Sequence, residues 1–199
     1  MNLGLYLSQF NLLFPELNQA SPWSITTKAQ EIILQKIKTL GSDYAIVNNV
    51  AIHKTAVVEE HVITKGPIII SANCFVGAHA YLRGGVYFAD HVSIGPGCEV
   101  KSSFMMSHTA LAHFNFVGDS LLGSHVNMEA GSVIANHFNE RDDKTIFVKI
   151  DGKRSAIDVK KFGAVVGDYT RIGANAVLSP GTILLSKSIV KRLELIEQC

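Results

Sequence analysis

Four histidines carry the first sign of chemistry in this chain. His91, His108 and His125 recur every 17 residues, and His113 opens a segment, His113-Phe-Asn-Phe-Val-Gly-Asp, that runs on to Asn136. Three imidazoles around a metal with a fourth position open would make a water-activating zinc site. A single imidazole, with a reference pKa of about 6.5, suits proton transfer near neutrality; without context it is as readily an exposed surface residue. Arg83 and Lys101 precede His113 by 30 and 12 residues. A planar guanidinium and a mobile ammonium suit a phosphate, or they sit solvated or in salt bridges. Asn127 and Asn136 offer amide donors and acceptors, or occupy turns whose dihedrals asparagine tolerates.

The pattern that must position these side chains is a beat of six. Ile52, Val58, Thr64, Ile70, Val76, Leu82, Phe88, Ile94, Val100, Met106 and Ala112 fall on it. Four residues after each lies a second apolar position, from Ala56 and Val62 through Cys98, Phe104, Ala110 and Phe116. The beat resumes at Leu122, Met128 and Ile134, and again at Val166, Ile172, Leu178, Leu184 and Val190. Helices repeat apolar residues about every 3.6 positions and ordinary strands every 2. A period of six fits a short strand and a tight corner, three of which close one triangular coil. The expectation is a mainly β chain folded as a parallel β-helix, with stacked aliphatic residues inside and small ones at the corners.

Residues 1–45 break this pattern and are expected to form a helical cap. Ser21 is an N-cap candidate, Pro22 fits the first helical position and Gly41 the stop, which predicts one helix over 21–40. Ile25, Ala29, Ile32, Ile33, Ile37 and Leu40 would form its apolar face, covering a solenoid end or meeting a neighbouring subunit. The β-helix is expected over 46–190, interrupted at about 138–162 by a hairpin whose Asp151-Gly152 signals a type I′ turn. Residues 191–199 read as a short helical tail. The 199 residues are 47% hydrophobic with a net charge of +1, which favours neither nucleic acid nor an anionic membrane. With no signal-like n-region, no spanning apolar stretch, and Cys74, Cys98 and Cys199 read as reduced thiols, a cytoplasmic protein is expected.

The segment from His113 to Asn136 is similar to the acetyltransferase domain of the bifunctional N-acetylglucosamine-1-phosphate uridylyltransferase/glucosamine-1-phosphate acetyltransferase family. That family shows His-Leu-Thr-Tyr-Leu-Gly-Asp, then Gly-x-x-Val-Asn-Ile-Gly-Ala-Gly-Thr and Asn-Tyr, and the same one-residue shortening of the beat between Val117 and Leu122. The hairpin and the Lys-Phe-Gly-Ala-Val-Val-Gly-Asp stretch at 161–168 look more like archaeal and free-standing relatives. The resemblance spans about residues 50–190 and implies a left-handed β-helix; spacing alone does not give the hand.

What the resemblance implies is an acetyl transfer from acetyl-CoA to an amino-sugar phosphate or sugar nucleotide, with no resident metal, in a homotrimer. His113 falls on the catalytic base and Asn136, with Asn127, on asparagines that hold the sugar and place the thioester. Arg83 and Lys101 fall on substrate-binding residues. Ala130, Gly131, Gly173 and Ala174 fall where acetyl-CoA lies, with backbone N–H groups able to meet an oxyanion. The chain departs from the family at Phe116 and His137, where tyrosines stand, and at Glu129, where glycine stands beside the thioester. These residues show no glycine-rich N-terminal nucleotide loop, so no nucleotidyl transfer is expected, and a separate nucleotidyltransferase is a candidate partner. Two other readings compete: a non-catalytic sugar-nucleotide-binding or scaffold β-helix, and a zinc hydratase. His108-x₄-His113 resembles part of the γ-class carbonic anhydrase pattern, but the position expected for its first histidine is Ala72. His91 and His108 also sit at different hexad offsets, which predicts no clean column.

Overall fold

In a computed structural model, residues 1–198 are described. The six-residue beat becomes mostly strands of two to four residues separated by corners, stacked coil on coil in parallel. The first face carries Ile63–Lys65, 81–83, 99–101, Phe116–Gly118, Val133–Ile134, Val177–Leu178 and Leu195–Ile196. The second carries Val50–His53, Ile68–Ile70, 86–88, 103–105, Leu121–Leu122, Ala164–Val166 and Thr182–Leu184. The third is a seven-stranded sheet from Val57–Val58 to Ile189–Val190. Strands Tyr81–Phe88 and Glu99–Met105 run unbroken around the corner between the first two faces. The prism interior is the expected aliphatic stack, including Ile70, Val76, Leu82, Phe88, Ile94 and Val100, all fully buried.

Past Val100 the expected register fails. Met105 and Leu111 point into the prism, not Met106 and Ala112, and Met106 packs outside. The slip occurs where Arg83 faces Lys101 and Val86 faces Ser103, so Gly84-Gly85 oppose the single residue Ser102, whose φ is +48°. This is a β-bulge at a coil corner. It exchanges Phe104, Ala110 and Phe116 for Ser103, Thr109 and Asn115 at the inner corner positions. Each of these buried polar residues is satisfied locally: Ser103 Oγ donates to the Lys101 carbonyl, Thr109 to that of Gly123 and Asn115 to that of Glu129. Adjacent Met105 and Met106 are both apolar, so hydropathy cannot tell which one enters the core.

The slip also corrects the expectation for the histidines. Because this coil is one residue short, and the next is short again between Val117 and Leu122, His91, His108 and His125 fall in register at the corner between the second and third faces. Their rings stack 4.7 Å apart with planes within 6° of parallel, and Tyr169 continues the stack at the same spacing. All sit near φ +60°, the left-handed turn conformation. Parallel rings point their nitrogens side by side and cannot converge them on one ion. Among the described residues no group of three or more His, Cys, Asp or Glu is placed to hold a metal.

The N-terminal segment is not an end cap. Its helices, α1 (Phe10–Leu13), α2 (Pro22–Thr27) and α3 (Ala29–Ile37), form a layer against the outside of the second face. Ile25, Ala29, Ile33 and Ile37 are buried there with Phe10 and Phe14 against Ile69, Tyr87 and Phe104. This second core explains why the outward positions of that face are apolar as well as the inward ones. The expected single helix is two, broken at Lys28 (φ −96°, ψ 12°) after Thr26 and Thr27, whose hydroxyls donate to the Trp23 carbonyl. Ser21 Oγ accepts from the Ser24 N–H, as its N-cap reading requires. Gly85 (φ +94°) lies under the α2–α3 junction: a Cβ there would stand 2.6 Å from the Ala29 carbonyl carbon and the Gln30 nitrogen.

The hairpin forms as expected, Ile146–Ile150 pairing antiparallel with Lys153–Ile157 through Asp151 (φ +50°) and Gly152 (φ +77°). Its Ile146, Val148 and Ile157 join the second core. At the start, Tyr44–Val47 folds back antiparallel on Val50–His53. At the other end the expected helical tail is a further strand: Leu195–Ile196 pairs in parallel with Val177–Leu178, adding a coil. Cys74 and Cys98 are buried free thiols, and burial pushes Cys74 up to about 11; Cys199 lies outside the described residues. Among the described residues, no helix is long and apolar enough to cross a membrane.

Candidate active site

The residues singled out in the sequence fall into two groups at two edges of the first face. Strand alternation points Glu99 and Lys101 outward on either side of buried Val100, and the ladder places Arg83 one coil before Lys101 and Gly118 one coil after. Arg83 Nη2 and Nε contact Glu99 Oε1 at 2.7 and 2.8 Å, with the guanidinium 5.8 Å from the Tyr81 ring centre. Lys101 Nζ donates to both Asp119 oxygens, at 2.7 and 3.0 Å, with side chains only 16% and 8% exposed. Asn136, buried, donates to Asp119 Oδ2 at 2.5 Å, and His137 Nδ1 lies 3.1 Å from Asn136 Oδ1.

Gly118 makes this arrangement possible. A Cβ there would meet Asn136 Nδ2 at 2.6 Å and the Phe116 ring at 2.9 Å, so both side chains lean over the bare backbone. Asp119 takes φ +49° at the same bulged corner as Ser102. Neither Asp119 nor Glu99 was selected from the sequence as a site residue. The available signals were Asp119 inside the His113–Asp119 motif and Glu99 two residues before Lys101, hence on the same side of one strand.

The second group lies at the corner between the third and first faces. His113 is exposed, its ring free of hydrogen bonds among the described residues, while its carbonyl accepts the Gly131 N–H at 3.0 Å. Asn127 points outward on the third face between Ala110 and Arg171. Glu129 does not stand free beside the thioester position. Its carboxylate accepts the Ala174 N–H at 2.9 Å and two Arg192 donors at 2.8 and 2.9 Å. The Arg192 guanidinium, then the Ala174 N–H, hold Glu129 at a pKa of about 2. The Gly173 N–H goes to the Val190 carbonyl. Of the four backbone donors expected at the coenzyme position, Ala130 alone has no protein acceptor among the described residues.

Two clefts accompany these groups. One, of about 760 Å³, lies between α2–α3, the Arg83–Lys101–Asp119 corner and the Asp158–Lys161 segment leaving the hairpin. The other, of about 630 Å³, lies on the third face along Asn127, Glu129, Gly173 and Arg192. Within one chain, Arg83, Lys101, Asn136 and His137 are thus gathered at one edge. His113, Asn127, Glu129, Ala130, Gly131, Gly173 and Ala174 are gathered at the other, with Phe116 on the face between.

A parallel β-helix of hexapeptide repeats, bearing a histidine corner and a basic corner on one face, defines the class of hexapeptide-repeat proteins. Residues 46–199 match the family described as the GMPPB C-terminal domain, and the chain belongs to that family. It is 31% identical over 177 residues to a bifunctional protein GlmU from Methanococcus vannielii, an overlap covering 85% of this chain and 41% of that protein. It is 32% identical over 142 residues to a bifunctional sugar-1-phosphate nucleotidylyltransferase/acetyltransferase from Sulfurisphaera tokodaii, covering 62% of this chain and 35% of that one. The chain therefore spans less than half the length of these relatives. Among solved structures, a hexapeptide transferase family protein from Anaplasma phagocytophilum superposes with a TM-score of 0.40 at 18% identity, over 72% of this chain and 70% of that one. The resemblance read from His113–Asn136 and from 161–168, to GlmU acetyltransferase domains including archaeal ones, is borne out.

Proposed function

We propose that this chain is an N-acyltransferase that moves acetyl from acetyl-CoA to the amino group of a sugar phosphate or sugar nucleotide. The observation that carries the reading is His113, exposed with an unengaged ring on the edge of the face whose other edge holds Arg83, Lys101 and Asn136. Arg83 and Lys101 bind the acceptor's phosphate, exchanging part of their contact with Glu99 and Asp119 for the ligand. Asn136 and Phe116 hold the sugar, with His137 beside them. His113 Nε2 or Nδ1 takes a proton from the acceptor amine as its nitrogen attacks the thioester carbonyl. The carbon–sulfur bond breaks, the amide forms, and coenzyme A leaves as the thiol after taking up that proton. The Ala130 N–H stabilises the transient oxyanion in place of the engaged Gly131 and Ala174 donors.

Asn127 and the Glu129–Gly173 cleft lie around a corner from Lys101, so the complete site is assembled with a second copy. A homotrimer does this, each bare third face meeting a neighbour's first face. A monomer by light scattering at micromolar concentration would exclude the shared site. The reaction is tested by thiol release from acetyl-CoA with a panel of amino-sugar phosphates and nucleotide-linked amino sugars; no release with any of them refutes it. The occupied Gly131 and Ala174 N–H groups favour one second reading, a non-catalytic sugar-nucleotide-binding β-helix, for which ligand binding without turnover is the expected signature.

A further inference from the structure

The N-terminal layer lies outside the residues matched by the family, yet it reaches the basic corner. Gly85 brings α3 so close that any side chain there would collide with Ala29 and Gln30. That contact sets Thr27 and Gln30 as one wall of the 760 Å³ cleft whose floor is Arg83 and Lys101. The two walls differ in chemistry. On the hairpin side Asp158, Lys160 and Lys161 are exposed, leave a net positive wall and make no salt bridge among the described residues. On the helical side the groups are neutral. The Gln30 carboxamide, exposed, offers a donor pair and an acceptor, and the Thr27 hydroxyl, donating to the Trp23 carbonyl at 2.7 Å, keeps its lone pairs for a ligand donor. A cleft of this size lies in the upper half of the roughly 300–1,000 Å³ range of small-molecule sites, with room beyond one hexose ring.

We infer that the N-terminal helices form the specificity wall of the acceptor site, and that the acceptor is a nucleotide-linked sugar whose heterocycle or ribose lies against Thr27 and Gln30. The inference rests on the acyl-transfer reading for the sugar end of the cleft. A neutral amide across the cleft from the phosphate-binding corner matches the alternating donors and acceptors of a base edge or a ribose diol, and a sugar 1-phosphate carries no group beyond its phosphate to meet it.

The test is calorimetric binding of glucosamine 1-phosphate against UDP-, GDP- and dTDP-linked hexosamines, alongside the thiol-release assay. At least one nucleotide-linked sugar should bind ten times more tightly than the 1-phosphate. Gln30→Ala and Thr27→Val should remove most of that advantage while leaving 1-phosphate binding unchanged, and Thr27→Ser should restore it. Equal binding of all ligands, or an advantage untouched in Gln30→Ala, overturns the inference. If a Gln30-dependent advantage is measured while no thiol is released, the transfer reaction falls and the specificity wall stands.

Discussion

Lys101 and Asp119 form the most deeply buried ion pair among the described residues, and separating them should be costly. Their side chains are 16% and 8% exposed, and the carboxylate also accepts from Asn136. Removing one partner of a fully buried pair costs about 3–5 kcal/mol, chiefly because the other charge stays behind unpaired. The residual exposure here lowers the figure for Lys101→Met to about 2–4 kcal/mol, since Asp119 keeps only the Asn136 donor and a narrow path to water. Asp119→Asn should cost less, about 1–2 kcal/mol, because the flexible lysine stem can carry its ammonium outward. In Lys101→Met/Asp119→Asn the unpaired charge is gone, so the two losses should fail to add by about 1–3 kcal/mol. For a chain of this length each kcal/mol moves Tm by roughly 2–4 °C. The assay is urea and thermal unfolding of the four proteins at one protein concentration, since any assembly adds its own stabilisation. Strict additivity, or a Lys101→Met loss below about 1 kcal/mol, would show that solvent screens the pair despite its burial.

Three further outcomes are expected. His113→Ala should lower turnover by roughly 10²–10⁴-fold with an unchanged circular dichroism spectrum, because the side chain is exposed; steady-state thiol release checks this. The Glu129 carboxylate, held at about 2, is depressed below its unfolded value of about 4.3. Its stabilising contribution is therefore complete above about pH 4.3 and lost as pH falls toward about 2, so melts of wild type and Glu129→Gln should differ at pH 6 and converge in acid. Gly85→Ala should detach the helical layer, since the added Cβ meets α3 backbone at 2.6 Å and the residue sits at φ +94°. A loss of about 2–4 kcal/mol and faster proteolysis within residues 1–40 are the expected readouts.

Much of this protein is legible in its sequence because a solenoid is built from contacts one coil apart. The beat through Ile70, Val76, Leu82, Phe88, Ile94 and Val100 named both the strands and the prism interior, and Asp151-Gly152 named the hairpin turn. What sequence could not decide was where one residue is dropped. Both Met105 and Met106 satisfy an apolar pattern, and only the bulge opposite Gly84-Gly85 selects Met105 for the core. That choice aligned His91 with His108 and drew Ser103, Thr109 and Asn115 inside, and the second shortening, between Val117 and Leu122, added His125 to the stack.

The sequence also determined which residues carry charge and the motif that links His113 to Asn136, since both are properties of local order along the chain. The tertiary structure decided how those charges are spent. Lys101 meets Asp119 and Glu129 meets Arg192 across separations of 18 and 63 residues. It likewise decided that residues 1–40 cover a flank rather than an end, because the apolar outer row of Ile69, Tyr87 and Phe104 becomes one surface only when successive coils stack. The alternation within any one strand names such a row as outward-facing; only the stacked sheet makes it large enough to bury a layer of helices.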